Sequence, residues 1–246
     1  MSPLRPLILL SGLAGLVAAL PAAASDRPRM VVELFTSQGC SSCPPADKLL
    51  GDLASDGSVL ALSMPVDYWD YLGWKDTLAE RSFTERQKAY GDVRGDRQVY
   101  TPQAVIDGVT HAVGSDQEAI QKAEKAATEK GALSVPLSVE IVGGSVKVTV
   151  PAMPGAPSAS VLLFPIVKKM EVAIGRGENK GKTISYNNVV RSVVPLGVWH
   201  GEARTYEVPV ASLGKGAACD TYAAILQVGG PSKPGVILGA AKASGS

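Results

Sequence analysis

The sequence predicts an α/β domain followed by an all-β antiparallel sandwich. Three observations carry that expectation. From Met30 to about Lys130, strand-like and helix-like segments alternate, the pattern of helices layered on a sheet. Beyond Gly131 the helical period disappears, and short runs of alternating apolar and polar residues are separated by Gly, Pro and Asn, as in two-layered antiparallel folds. Between the first strand and the first helix stands Cys40-Ser41-Ser42-Cys43, a pair that needs a strand-to-helix turn to do chemistry.

The first-half elements follow in order. Met30-Val31-Val32-Glu33-Leu34-Phe35 reads as a buried strand, and Ala46 to Leu53 as a helix entered through Pro44-Pro45. Prolines are tolerated there because the first helical N–H groups have no partner within the helix. Val59 to Val66 is a second buried strand. Ser82 to Tyr90 reads as a helix with Ser82 as cap and Glu85 completing a capping box. Gln103 to Val113 holds two strands about a tight Asp107-Gly108 turn, and Ser115, with Glu118 three positions on, caps a helix running towards Lys130.

The second half contains about eight strand-like runs: Leu137–Val142, Val146–Val150, Val161–Val167, Glu171–Ile174, Thr183–Val194, Thr205–Val210, Tyr222–Val228 and Val236–Ala240. The boundary between the two halves falls near Gly131 to Pro136. Pro151 to Ala159 reads as a loop.

At the N-terminus, Arg5 precedes the apolar stretch Leu7 to Leu20, which runs through Pro21 into Ala22-Ala23-Ala24. This is the pattern of a signal peptide cut after Ala24, and the apolar run is short for a membrane span. The expectation is an exported mature chain with no stable membrane anchor after cleavage; an uncleaved anchor is the alternative. No cysteine stands at the cleavage site, which argues against a lipoprotein. Loss of Arg5 with the leader leaves 23 basic residues against 23 acidic, a balance that points away from nucleic acid and from anionic membrane surfaces as partners. Three cysteines are too few for a disulfide-dense scaffold.

Cys40 and Cys43 are spaced to close a small disulfide at a helix N-terminus. There, unpaired backbone N–H groups and the helix dipole favour a thiolate, the attacking species in disulfide exchange. In this reading Cys40 is the more accessible nucleophile and Cys43 the resolving thiol. A structural staple is one alternative. A metal site is another, but it would have to recruit Cys219, His111 and His200, none of them in a paired spacing. Neither a metal nor a cofactor is expected.

Val99-Tyr100-Thr101-Pro102 precedes the third strand, where proline is compatible with a sheet because it begins the strand. The order of Cys-x-x-Cys helix, strand, helix, Thr-Pro, hairpin and final helix resembles the thioredoxin fold. That resemblance implies a cis Thr101–Pro102 bond beside the dithiol, with Thr101 and Pro102 contacting an extended substrate. It also implies a buried carboxylate that assists proton transfer, a place that Glu33 could occupy, although its offset from Cys40 is one residue longer and a strand-end carboxylate is an equal alternative.

The similarity extends beyond fold. Val32 to Asp47, Asp67-Tyr68-Trp69-Asp70-Tyr71-Leu72-Gly73-Trp74, Tyr100-Thr101-Pro102-Gln103 and Gly175-Arg176-Gly177-Glu178-Asn179-Lys180-Gly181-Lys182 together resemble the exported bacterial thioredoxin-like family called domain of unknown function 1223. The resemblance implies a thioredoxin-like domain over residues 25–132 after a leader of residues 1–24, a β-sandwich over 133–246, and a periplasmic or secreted location.

Tyr68, Trp69, Tyr71 and Trp74 are four of the chain's thirteen aromatic residues. They read either as a substrate-facing wall, with Tyr68, Trp69 and Trp74 as contacts, or as packing that pins the 67–95 insert to the core. His111 and His200 lack partnering motifs and read as surface residues. Cys219 reads as a small buried hydrophobe, and Gly175 to Lys182 as a solvated turn.

Two functions compete. One is a thiol-disulfide oxidoreductase acting on protein or small-molecule thiols and disulfides. The other is a non-catalytic binding or assembly module built on a fixed disulfide. A copper or zinc handler would need ligands from a partner.

Overall fold

The computed structural model describes residues 27–243; the expected leader lies outside them. Strand β1 (Met30–Thr36) is buried along its whole length. It lies between its parallel neighbour β2 (Val59–Pro65) and antiparallel β3 (Gln103–Ile106), with β4 (Thr110–Val113) outside β3. A β-α-β crossover through helix α1 (Pro44–Ser55) makes the β1–β2 pair parallel. The expected Asp-Gly hairpin is present: Asp107 and Gly108 both have positive φ, at 50° and 70°, the backbone that a two-residue hairpin turn requires.

Two helix starts differ from the sequence expectation. Helix α2 spans Arg81–Arg94 and is capped at Glu80 without a side-chain bond. Ser82 lies inside the first turn. Helix α3 spans Gln117–Glu129, and its cap is Asp116, whose carboxylate accepts from the Ala119 amide at 2.9 Å; Ser115 stands one residue before it.

The second half adds β5 (Ser138–Val142), β6 (Ser145–Val150), β7 (Ala159–Ala173), β8 (Thr183–Val190), β9 (Val194–Trp199), β10 (Arg204–Pro209), β11 (Thr221–Gly230) and β12 (Lys233–Lys242). The expected separation of the two halves into an α/β domain and an independent sandwich is corrected here. A single large mixed sheet runs in the order β12-β11-β7-β8-β2-β1-β3-β4, with β9 also on β7. The join is a parallel contact between β2 and β8 at Ser63 and Val189. Among the described residues, β10-β6-β5 form a second, smaller sheet. A periodicity-2 pattern states which face of a strand is buried but not which strand lies beside it, so the merger left no local signal.

Three apolar layers hold this arrangement. One face of β1 (Met30, Val32, Leu34) packs with Leu50 of α1 and Ile120 of α3. The other face (Val31, Phe35) packs with Phe83 and Tyr90 of α2 and with Phe164, Ile225 and Ile237 of the second half. The small sheet covers β7 and β11 through Val146, Val148, Val150, Leu163, Trp199 and Leu226. Each such buried side chain contributes roughly 1.5–3 kcal/mol, so the second half completes the hydrophobic core of the first. Among the described residues no helix is long and apolar enough to cross a membrane.

Candidate functional site

The site begins where β1 ends. Cys40 and Cys43 form a disulfide with Cα atoms 5.4 Å apart. Cys43 is the N-cap of α1 and Pro44 and Pro45 are its first residues, so Cys40 precedes the cap by three positions. The expected ring of unpaired amides is not there. Pro44 and Pro45 have no N–H, and the amides of Ala46 and Asp47 both bond the Cys43 carbonyl, at 2.9 and 3.0 Å. The helix dipole remains as the field on the pair.

Cys40 is 1% exposed and Cys43 fully buried, which corrects the expectation of an accessible Cys40. The loop between β7 and β8 is fastened to the backbone of the cysteine segment. Asn179, itself fully buried, donates from Nδ2 to the carbonyls of Cys40 at 2.8 Å and Gln38 at 3.0 Å. Glu178 accepts from the Ser41 amide at 3.2 Å. Trp74 donates to Gln38 Oε1 at 2.8 Å, and its ring stands against Gly175, where an added Cβ would meet Cζ3 at 3.1 Å. The loop holds this position because Ile174, Ile184, Tyr186, Val189 and Leu78 form a small apolar cluster of their own, with Trp74 against it. The segment read as a solvated turn is exposed except at Asn179, which fastens it to the cysteine loop. Its glycines and asparagine are also turn chemistry, and no local feature of the sequence separates the two roles.

Thr101–Pro102 is a cis peptide bond. Pro102 lies near the start of α1: a Cβ added to Gly114 would stand 3.1 Å from Ala46 Cβ and 3.2 Å from Pro102 Cβ. Trp69 links this segment to the cysteine loop. Its Nε1 donates to Thr101 Oγ1 at 2.8 Å, and its Cβ faces Gly39, where an added Cβ would sit 3.1 Å away. Tyr68 stacks obliquely on Trp69, ring centroids 6.2 Å apart, and both pack against the core. Tyr71 is the exposed member of the aromatic group, at 79%.

Glu33 does not serve the cysteines. Alternation along β1 puts it on the α2 face with Val31 and Phe35, opposite the side that carries α1. There it pairs with Arg86, Nε to Oε1 at 2.6 Å and Nη2 to Oε2 at 3.1 Å, and accepts from the Tyr90 hydroxyl. Gln227 of β11 closes the network, accepting from Arg86 at 2.9 Å and donating to Tyr90 at 2.8 Å. Burial works against the Arg86 charge, but Glu33 beside it holds its pKa above the ordinary value. This is a structural tie between the two halves.

The buried acid on the cysteine side is Asp47, one helical turn beyond Cys43 and on the same helix face. It is 2% exposed. Thr36 donates to its Oδ1 at 2.8 Å, and Oδ2 has no protein partner. Burial pushes its carboxyl up to about 8, with the Thr36 bond opposing and the nearby Asp76 carboxylate adding. Asp76 is also raised by burial, while its oxygens accept from the amides of Gln38, Leu78 and Ala79. Sequence reasoning missed Asp47 because an acid in the first turn of a helix is ordinary capping chemistry. Its signal is its phase, four residues after Cys43 on the apolar stripe of Ala46 and Leu50.

The remaining candidates lie elsewhere. His111 bonds the Tyr100 hydroxyl at 2.8 Å and Asp96 at 3.2 Å, closing the loop before Thr101. His200 bonds Ser158 at 2.8 Å. Cys219 is half-buried beside β11, its thiol raised by burial. Among the described residues no three His, Cys, Asp or Glu side chains gather as a metal site would.

A crystal structure of a protein from Agrobacterium tumefaciens is similar over 91% of this chain and 97% of its own, with 37% identity and a TM-score of 0.80. The structure of HBP35 of Porphyromonas gingivalis is similar over 88% of this chain and 74% of its own, at 10% identity and a TM-score of 0.57, a likeness of fold alone. No curated protein matches. The model of the family described as protein of unknown function DUF1223 matches residues 31–227, and the chain belongs to that family.

Proposed function

We propose that this protein is an exported thiol-disulfide oxidoreductase whose first half is thioredoxin-like and whose second half supplies a β-sandwich and, in the β7–β8 loop, a lid over the disulfide. The observation that carries this reading is the closed Cys40–Cys43 disulfide at the entrance of α1, with the protonatable Asp47 one turn beneath it. The position of Pro102 close to the same helix adds support.

In this mechanism a substrate thiolate attacks Cys40 Sγ. The Cys40–Cys43 bond breaks, Cys43 leaves as a thiolate, and a proton reaches it from the Asp47 carboxyl. A second substrate thiolate then attacks the substrate sulfur of the mixed disulfide and expels Cys40. Two substrate thiols become one disulfide with loss of two protons and two electrons, and the protein disulfide takes up both to become two thiols. The reverse sequence reduces a substrate disulfide. Partners are protein or small-molecule thiols, and the compartment is periplasmic or extracellular, where a disulfide persists.

The burial of both cysteines favours a second reading, a scaffold with a fixed disulfide. Equilibration of the mature protein with glutathione buffers, read by thiol alkylation, separates the two. Under the first reading the pair exchanges, Cys43→Ser accumulates a mixed disulfide on Cys40, and Cys40→Ser traps nothing. A pair that stays oxidised in strongly reducing glutathione, with no adduct on either variant, establishes the scaffold instead.

A further inference from the structure

A groove of about 700 Å³ runs between α1 and β8, bordered by Pro44, Lys48, Gly51 and Asp52 on one side and by Lys169, the stretch from Lys182 to Ser185 and Asn187 on the other. Its residues meet two requirements of peptide recognition at once. From Thr183 to Asn187, β8 pairs with β7 on one side only, because its ladder pairing with β2 is confined to Val189. The left-handed backbone of Asn188, φ 47°, separates these two stretches, and the Asn188 side chain donates to the Ala61 carbonyl of β2 at 2.9 Å. A strand edge with no strand beside it can accept an extended chain by main-chain hydrogen bonding.

The groove is also cationic. Lys48, Lys169 and Lys182 line it with Asp52, and Glu171 stands beside Lys169. Lys48 pairs with Asp52 at 2.9 Å and Lys169 with Glu171 at 3.0 Å, all four side chains more than half exposed. Exposed pairs of this kind are weak enough for ligand carboxylates to compete with them. Lys182 points inward to the lid, donating to Asn179 Oδ1 at 2.9 Å, and Asn179 in turn donates to the Cys40 carbonyl. A ligand that engages Lys182 therefore acts on the residue bonded to the Cys40 carbonyl.

We propose that this groove binds an extended acidic polypeptide segment as an added strand on β8, with its carboxylates on Lys48, Lys169 and Lys182, and delivers its cysteines to the Cys40–Cys43 disulfide beside Pro44. The delivery step rests on the exchange reading above; the binding step does not.

The test uses the mature protein and a short two-cysteine peptide rich in glutamate, with a lysine-for-glutamate counterpart and a backbone N-methylated version. Peptide oxidation, peptide binding by fluorescence anisotropy and exchange with dithiothreitol are measured in parallel. The acidic peptide is expected to bind and react in preference to the basic one. The double variant Lys48→Glu/Lys169→Glu should lower its rate about tenfold while leaving dithiothreitol exchange unchanged. N-methylation should weaken binding as well. Equal rates for the acidic and basic peptides, or no effect of the double variant, overturn the proposal. Displacement by inorganic phosphate without any effect of N-methylation also overturns it, since that outcome describes a bare anion site. If dithiothreitol exchange is absent while the acidic peptide binds in the N-methyl-sensitive manner, the exchange reading fails and the groove stands.

Discussion

The side chain of Asn179 donates to the backbone carbonyl of Cys40 at 2.8 Å, across 139 residues of sequence. This bond joins the tip of the β7–β8 hairpin to the cysteine loop, and the proposed lid predicts that the hairpin lifts before the disulfide is reduced. Asn179→Ala removes this bond and its companion to Gln38, and a buried hydrogen bond lost in this way costs about 1–3 kcal/mol. The variant should melt at lower temperature, yet its disulfide should be reduced several-fold faster by a small thiol, because local opening limits access. Alkylation time courses under pseudo-first-order dithiothreitol measure this; an unchanged rate would show that the lid does not control access.

Trp74→Ala should act in the same direction through packing. It removes the bond to Gln38 Oε1 and the ring against Gly175, loosening the lid without touching the cysteines. Hydrogen exchange at the 174–182 amides should quicken while that of β1 is unchanged. Protection that stays uniform would mean that the lid is held by the Ile174–Tyr186 cluster alone.

Asp47→Asn should change the pH dependence of stability. The folded carboxyl is held up at about 8 against an ordinary 3.8. Between these values the unfolded chain ionises while the folded one stays protonated, so the folded state binds more protons and wild-type stability falls as pH rises. The asparagine variant lacks this penalty, which approaches on the order of 5 kcal/mol by pH 8. Denaturant melts at intervals from pH 4 to pH 8 should show the variant gaining on the wild type throughout. In thiol exchange the same variant should lose an inflection near pH 8, which a purely structural Asp47 would not produce.

Glu33→Gln should destabilise without altering the chemistry. It leaves the buried Arg86 charge without its carboxylate, a change that costs about 3–5 kcal/mol in buried pairs. Exchange rates measured well below the melting temperature should match the wild type. A slowed exchange at unchanged stability would return Glu33 to the site.

Gly108→Ala tests the contact between the halves. Gly108 has φ 70°, and an added Cβ would lie 2.3 Å from the Gly235 carbonyl oxygen in β12. A backbone atom cannot swing aside as a side chain can, and the left-handed conformation adds roughly 1–2 kcal/mol for a residue with a Cβ. The melting temperature should fall by several degrees; a neutral outcome would mean that the two hairpins separate readily.

What is local in this protein is legible in its sequence. The β1-turn-α1 context of Cys40 and Cys43, the Asp107-Gly108 hairpin, the position of Pro102 at the head of β3 and seven of the eight later strands follow from residue type and period, because they depend on neighbours within a few positions; β7 reads as two strands and β9 does not read as one. Family membership is legible as well, from motifs spread over both halves. The β8–β2 join, the bond of Asn179 to the Cys40 carbonyl, the assignment of Glu33 to Arg86 and the strand edge beside Lys182 depend on which segments meet in space. Partners 53 to 141 residues apart make these contacts. Which of many apolar faces closes over β1 is decided by the packing of the whole core, and only that closure places Glu33 in a structural pair, Asp47 beneath the cysteines and a hairpin from the second half over the first.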